Sequence, residues 1–403
     1  MELVRMGVIG LGSIGGRHVG YINSLQGVRL AGVCDADATR AQKLGEEHQV
    51  PHFSTYDGLI TSGAVDAVIV ATPHFQHPQI AVAALEAGLH VLCEKPLAVT
   101  VKQARRVNEV AALHPRQKFS LMLQQRTWPA YAELKKRLAS GSFGQITRVS
   151  WIITDWFRTD AYYASGGWRA TWDGEGGGVL LNQCPHNLDL LWWLTGMNPS
   201  RITAVARIGA AHAIEVEDEV SAILEYDNNA IGHFMTATGE APGSNRLEFA
   251  TDWGLITAEP SRLTIRRTEQ DVARLRQTGA ANARGTKTTD EVVQFPPEPR
   301  DAHKLITQNF ANAILRDEPL IAPGEDGVHS LQIGNAMLMA GLTRKPVTLP
   351  LDGNVYERFL AGMIAKYPSF NEGAQNPDVA HAAAGLRPLY PSGSPKPRKP
   401  RAA

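Results

Sequence analysis

Gly10-Leu-Gly-Ser-Ile-Gly stands directly after an apolar run, Val4 to Ile9, and just before a stretch, Arg17 to Leu25, that reads as a helix. No other feature of the chain constrains its fold as strongly. A short, mainly apolar run is the pattern of a strand buried on both faces of a parallel sheet. Three glycines at this spacing permit a tight turn, a close approach of backbone to pyrophosphate, and close packing of helix on strand. The helix that follows turns its free N–H groups and its positive end towards the phosphates. A second apolar run, Val28 to Cys34, ends on Asp35, about 20 residues past the last glycine, as a dinucleotide fingerprint requires. Gly10, Gly12, Ser13, Ile14 and Gly15 therefore read as a phosphate cradle. Asp35 suits the ribose hydroxyls and repels a 2′-phosphate, which favours NAD. Arg40 lies near enough in sequence to soften that preference, or is an exposed helix cation.

Strand and helix patterns keep alternating. Ala38 to His48 reads as a helix, Ala64 to Ala71 as a strand, and Pro78 to Ala87 as a helix stopped by Gly88. His90 to Cys93 and Phe119 to Leu123 read as strands. Such repetition implies a parallel sheet with helices on both faces, an α/β Rossmann domain over residues 1–125. The character then changes. Gln145 to Phe157, Arg201 to Ile208, Val220 to Tyr226, Ile231 to Thr238 and Arg246 to Ala250 read as strands in succession, with Asp227-Asn-Asn as a hairpin turn. This predicts an α+β domain over residues 126–367, built on a mainly antiparallel sheet. Helical patterns return at Ala302 to Leu315 and Gly327 to Leu342, and can pack back on the first domain. Residues 368–403 are rich in Pro, Ala, Gly and Ser, the composition of an extended or disordered tail able to wrap a neighbouring subunit.

Composition closes other routes. Forty basic residues balance forty acidic ones, so no charge field gathers nucleic acid. The basic end, Lys396 to Arg401, is short and local. Cys34, Cys93 and Cys184 are scattered without metal-ligand spacing, which suggests a reducing compartment and no metal site. Without a signal-peptide core or a membrane-length apolar run, the cytoplasm is the expected location and no membrane partner is expected.

Further blocks carry a resemblance. Ala71-Thr-Pro-His-Phe-Gln-His and Cys93-Glu-Lys-Pro-Leu-Ala bracket one helix, and Gly176-Gly-Gly-Val-Leu-Leu-Asn-Gln-Cys-Pro-His-Asn-Leu-Asp-Leu follows later. With the glycine loop and Gly324-Glu-Asp-Gly-Val-His-Ser-Leu, this resembles the glucose–fructose oxidoreductase, inositol dehydrogenase and rhizopine-catabolism (Gfo/Idh/MocA) family over roughly residues 4 to 350. The resemblance implies a large, open-faced sheet after the Rossmann domain, an active site between them, and oligomer contacts, as a dimer or tetramer, through the sheet. It also implies catalytic roles for Lys95 and His186, and a cis peptide before Pro96. Lys95 would hydrogen-bond the reacting hydroxyl, and His186 has the near-neutral pKa of a general base. Asn182 stands where many relatives carry Asp. An amide can orient a hydroxyl or His186 but cannot take a proton. Asn182 and His186 share a face if the backbone between them is helical, although Pro185 disturbs a helix interior. Asp189 either orients His186 or pairs with a cation elsewhere.

Ala71, Thr72, Pro73, His77 and Glu94 are expected on the nicotinamide side of the cofactor, with His74 able to reach substrate. Arg126, Trp168 and Arg169 match family positions near the cofactor or cleft, and are otherwise packing residues or surface charges. Tryptophans crowd Trp151, Trp156, Trp168, Trp172, Trp192 and Trp193. The last two sit in an apolar helical run and suit core packing. Trp156, Arg158, Tyr162, Tyr163 and Trp168 are interleaved with polar residues and read as a substrate loop, aromatic faces for the C–H faces of a sugar ring and polar groups for its hydroxyls. The expected activity is NAD-dependent hydride transfer with a ring hydroxyl of a sugar, glycoside or cyclitol. The alternatives are a redox-neutral, NAD-dependent glycosidase and a non-catalytic dinucleotide-binding regulator. Zero net charge weighs mildly against a strongly anionic substrate.

Overall fold

The computed structural model describes residues 2–279, 285–296, 299 and 301–367. The expected C-terminal tail, 368–403, lies outside them. The chain opens with β1 (Val4–Ile9), α1 (Ser13–Ile22), β2 (Val28–Cys34), α2 (Ala38–His48), β3 (His52–Phe53), α3 (Tyr56–Thr61), β4 (Ala67–Val70), α4 (His77–Glu86), β5 (His90–Cys93), α5 (Val101–Leu113) and β6 (Phe119–Leu121). The six strands form one parallel sheet in the order β3-β2-β1-β4-β5-β6. Winding reverses between β1 and β4, so the carboxyl ends of these strands flank a crevice where ligands of such sheets bind. β4 is apolar and buried along its whole length because helices cover both faces. Local signals set the helix starts. Asp37 caps α2 by accepting from the Thr39 and Arg40 N–H groups, and Thr100 with Gln103 forms a capping box on α5.

α6 (Pro129–Ala139) leads to β7 (Ile146–Ile153), then α7 (Asp160–Tyr163), α8 (Val179–Asn182) and α9 (Pro185–Thr195). After them come β8 (Arg201–Ile208), β9 (Glu217–Glu225), β10 (Ile231–Ala237), β11 (Asn245–Thr251), β12 (Gly254–Glu259), β13 (Arg262–Thr268), α10 (Val272–Thr278) and β14 (Thr288–Gln294). α11 (Ala302–Arg316), α12 (Gly327–Thr343), β15 (Val347–Thr348) and α13 (Gly353–Lys366) complete the described chain. The second sheet has nine strands, ordered β14-β13-β12-β11-β7-β10-β9-β8-β15. It is antiparallel except where the meander β8-β9-β10 returns to lie parallel to β7. Strand alternation sorts its two faces. Trp151, Phe234 and Phe249 are fully buried on one, while Ile152, Val205, Ile223, Ile231 and Met235 are exposed on the other.

The late helices return to the first sheet. Tyr21 of α1 hydrogen-bonds Thr307 of α11 at 2.8 Å. The outer strand β6 is covered by the segment before α12, whose Ala322 carbonyl accepts from Leu121 N at 3.0 Å and Ser120 Oγ at 2.7 Å. Among the described residues, no helix is long and apolar enough to cross a membrane.

Candidate active site

The turn from β1 into α1 forms a cradle with one closed side and one open side. Gly10 has φ +88°, and a Cβ on it would lie 2.6 Å from the Ala71 carbonyl oxygen; a Cβ on Gly15 would lie 1.7 Å from the Gly10 oxygen. Side chains at either position would force the loop apart. A Cβ on Gly12 would meet nothing within 4 Å, and Gly12 and Ser13 are exposed. Gly12 also caps α1 without any side-chain hydrogen bond, so the first N–H groups of the helix, at Ser13 and Ile14, are free for an anion. This fits a pyrophosphate. Thr72 Oγ1, in the loop after β4, is buried without a partner in the protein, and so has hydrogen-bonding capacity for a ligand. Asp35 accepts from Leu11 N at 2.7 Å and from Asp37 N at 2.9 Å. Arg40 reaches the same carboxylate at 3.2 Å and Asp37 at 3.3 Å, so it is an ion-pair partner of the ribose-side acid rather than a lone helix cation.

β5 delivers Glu94-Lys95-Pro96 to the cleft, with a cis Lys95–Pro96 peptide. Glu94 turns back into the protein, where it accepts from His18 Nε2 at 2.9 Å and from the Lys95 N–H at 3.2 Å. Burial alone would raise its pKa; the His18 hydrogen bond and neighbouring positive charge bring it down to about 2. Lys95 is half-buried, and its ammonium donates to the Asn182 backbone oxygen at 2.8 Å. Burial lowers the Lys95 pKa, against the pull of Glu94 and Glu175. Asn182 ends α8, and His186 belongs to the next helix, which starts at Pro185. Proline has no N–H to offer and suits a first helical position. The shared face of one continuous helix is therefore absent, and two short helices meeting at a break hold the pair instead.

Burial, then the charge of Lys95, takes the His186 pKa down to about 3, so its ring is neutral at neutral pH. The Gln124 amide nitrogen lies 3.1 Å from His186 Nε2, and Gln124 Oε1 and His186 Nδ1 are both buried without partners. Half a turn of that amide presents Oε1 to the Nε2–H instead and leaves Nδ1 a bare acceptor. The Asn182 side chain touches the Glu175 carboxylate and donates to the Tyr162 hydroxyl at 3.2 Å.

The aromatic loop after β7 lines the same cleft. Tyr162 OH accepts from Arg169 Nη1 at 3.0 Å, from Asn182, and from Gln183 Nε2 at 3.3 Å. With N–H donors filling its oxygen, the phenolic proton is available to a ligand oxygen. The guanidinium groups of Arg158 and Arg169 lie 4.9 Å and 4.7 Å from the Tyr162 ring centre. Arg169 also stacks on Trp168 at 4.7 Å, and Arg158 on Trp156 at 5.3 Å. Trp156 Nε1 donates to Asn187 Oδ1 at 3.1 Å. His74 donates to the Glu175 carbonyl at 3.3 Å and meets Trp168 edge-on.

Other residues expected at the site use their polar groups elsewhere. Arg126, expected at the cofactor, is buried and fully engaged: it pairs with Asp189 and Asp326 and donates to the Ile321 carbonyl. Asp189 accordingly serves Arg126 and not His186. Trp192 and Trp193, half-buried, lie against that guanidinium. His77 sets both ring nitrogens against carbonyls, Pro96 and Thr72, each at 2.7 Å. Two acceptors favour a doubly protonated ring, but burial outweighs them and lowers the pKa. Its ring therefore ties the loop after β4 to the Lys95 loop. Tyr163 donates to Thr238 at 3.0 Å, so Tyr162 and not Tyr163 presents the available hydroxyl. Sequence reasoning missed Glu175 and Gln124. A lone carboxylate inside Gly174-Glu-Gly-Gly-Gly was the available signal for the first; nothing local marks the second.

A glycine cradle with free helix N–H groups, followed by a lysine held against the helices and loops between β7 and β8, is the build of a nicotinamide-dependent oxidoreductase. Comparison with known proteins makes the class specific. Residues 4–121 match the Gfo/Idh/MocA model described as an oxidoreductase family with an NAD-binding Rossmann fold, and residues 131–257 match the C-terminal domain of that family. The chain belongs to the Gfo/Idh/MocA oxidoreductase family and has its NAD-binding Rossmann domain. It is 28% identical over 340 residues to inositol 2-dehydrogenase 2 of Saccharopolyspora erythraea, covering 83% of this chain and 92% of that one. The match to inositol 2-dehydrogenase of Corynebacterium glutamicum is 27% over 235 residues, 57% of this chain and 65% of the relative. Among solved structures, the WlbA dehydrogenase of Bordetella pertussis, in complex with NADH and UDP-GlcNAcA, superposes with TM-score 0.71 at 25% identity, covering 87% of this chain and 100% of that one.

Proposed function

We propose that this protein catalyses reversible hydride transfer between NAD and a secondary ring hydroxyl of a sugar, glycoside or cyclitol, giving a keto-sugar or keto-cyclitol. The observation that carries this reading is the clustering of Lys95 Nζ, which donates to Asn182, with His186, whose ring feels the Lys95 charge. Bound NAD supplies the hydride acceptor. Lys95 donates to the reacting hydroxyl oxygen and stabilises its alkoxide character. Neutral His186, steadied by Gln124, positions that oxygen. Tyr162 and the stacked Trp156, Trp168, Arg158 and Arg169 supply one polar and several flat surfaces for the ring. The names of relatives, inositol dehydrogenases and a 1,5-anhydro-D-fructose reductase among them, point the same way.

NAD is preferred over NADP, because Asp35 stands where a 2′-phosphate would sit and Arg40 is held by Asp35 and Asp37. Three buried free thiols suit a cytoplasmic, reducing setting. The exposed apolar face of the nine-stranded sheet serves as the contact of a homo-oligomer. A panel of sugars and cyclitols assayed for NADH absorbance tests the activity. At least one neutral or acidic sugar is oxidised, and Lys95→Ala lowers the rate at least about 100-fold, the usual scale for an acid–base group. Bond cleavage without NADH accumulation, or activity unaffected by Lys95→Ala, would overturn the reading.

A further inference from the structure

The cradle helix α1 carries a buried histidine that the reaction described above does not use. His18 is fully buried. Its Nε2 lies 2.9 Å from Glu94 Oε1, and its Nδ1 lies 2.6 Å from the Tyr21 hydroxyl. Tyr21 Oη is in turn 2.8 Å from Thr307 Oγ1 of α11, and Thr307 donates to the His303 backbone carbonyl at 2.9 Å. A chain of four contacts therefore runs from a carboxylate, through an imidazole and two hydroxyls, to a carbonyl. Glu94 also takes the N–H of Lys95 at 3.2 Å, so one end of this chain touches the lysine loop and the other lies in a late helix.

Counting hydrogens along the chain fixes the state of the ring. Each contact needs one hydrogen. A carbonyl has none to give, so the Thr307 hydroxyl points its only hydrogen at His303. Thr307 Oγ1 then accepts from Tyr21, which leaves Tyr21 without a hydrogen for His18. His18 Nδ1 has to supply that one. At the other end a carboxylate accepts, so Nε2 has to supply another. Two ring hydrogens make an imidazolium. A neutral ring beside an ionised Glu94 would leave one of the contacts as two lone pairs facing each other out of reach of water, the costly case for a buried polar group.

We propose that His18 is held as an imidazolium and is a positioning residue for Lys95, which it serves by neutralising Glu94; its effect on catalysis rests on the dehydrogenase reading above. Glu94 immediately precedes Lys95. An uncompensated carboxylate there would draw the ammonium to itself, since a buried charge without a partner is costly. Paired with His18, Glu94 is satisfied within the protein, and Lys95 Nζ donates instead to the neutral Asn182 carbonyl at 2.8 Å. The pair also ties α1, whose first turn is the cofactor cradle, to the loop that carries Lys95. Other titratable groups surround the ring. Arg17 acts on Tyr21 and His303 by its charge. His303 of α11 meets His18 edge-on at 6.1 Å, and burial first takes its pKa down to about 4, so it adds no charge at neutral pH.

Histidine-selective nitrogen NMR of the full chain, with and without NADH, counts ring hydrogens directly. His18, identified by the signals missing from His18→Gln, should show two N–H groups at neutral pH. In Glu94→Gln the amide can donate to Nε2, and the ring should keep only its Nδ1 hydrogen. A single ring hydrogen in the wild-type protein, including the case in which Glu94 holds the proton, overturns the proposal. In kinetics His18→Gln should lower kcat about 100-fold, the scale of a misplacement of about 1 Å, with the KM for sugar and the affinity for NADH within a few-fold of wild type. Adding Glu94→Gln removes the stray carboxylate and should recover part of that loss, a rescue that a merely structural histidine would not show. A kcat of His18→Gln within a few-fold of wild type, or a double variant no faster than the single one, overturns the positioning role. If His18→Gln fails to fold, Tyr21→Phe identifies the ring by its shifted signals, and the double variant is compared with wild type: a loss as large as that of Lys95→Ala overturns the role. If no sugar is oxidised, the dehydrogenase reading fails, while the ring-hydrogen count is still read from the spectrum.

Discussion

In the proposed preference for NAD, Asp35 acts through one carboxylate that is already partly occupied. It holds Leu11 N–H at the cradle and Arg40 at the helix, and still has lone pairs for ribose hydroxyls. Asp35→Ser should remove the repulsion of a 2′-phosphate and free Arg40 to meet it. A charged hydrogen bond is worth about 1.5–3 kcal/mol, so the ratio of kcat/KM for NAD over NADP should fall roughly tenfold or more. Parallel kinetics with both cofactors measure this, and an unchanged ratio would show that the selectivity lies elsewhere. Residues of this kind are legible in a sequence because the fingerprint fixes their spacing. Lys95 and His186 are legible for the same reason, within contiguous blocks. Gln124 and Glu175 are not: Gln124 meets His186 from a distant segment, and Glu175 meets Asn182 within an irregular stretch between β7 and β8 whose turns no motif specifies.

Among the elements, those buried on both sides are read most accurately. β1, β2 and β5 begin and end where their mainly apolar runs do, and α2 starts beside its Asp37 cap. β14 goes unread because its sequence, Thr288–Gln294, is polar and almost wholly exposed at a sheet edge. β12 and β13 go unread because Thr, Glu and Arg dilute the alternation, and α5 and α6 because their apolar faces are narrow stripes. Arg126 shows an element-scale role that no motif reveals. It joins the segment after β6 to α9 through Asp189 and to the start of α12 through Asp326. Arg126→Ala should cost about 3–5 kcal/mol, since it leaves the buried Asp189 without its counter-charge. Calorimetry would record the loss, and NAD affinity of the folded variant should be unchanged; a selective loss of cofactor binding would restore the expectation from sequence.

Seen as a whole molecule, the nine-stranded sheet has one face closed by helices and one left bare. On the bare face Val205, Met235 and Ile152 lie in one cross-strand row, with Ile223 and Ile231 beside it. These apolar side chains, interleaved with polar ones such as Ser221 and His233, carry the proposed contact with another copy. With the homo-oligomer proposed above, Ile223→Lys with Met235→Lys should give a smaller species in sedimentation velocity, with the melting temperature preserved. An unchanged sedimentation coefficient would exclude this face.

The cover over β6 has a consequence for the order in which the molecule comes into being. A ribosome releases the whole six-stranded sheet long before it makes Ala322. Until then β6 is a bare edge, with donors that invite any passing strand, and Tyr21 waits for a hydroxyl on a helix not yet translated. The cofactor cradle thus emerges first but is finished last, and the nascent chain is most exposed to mispairing in the interval between.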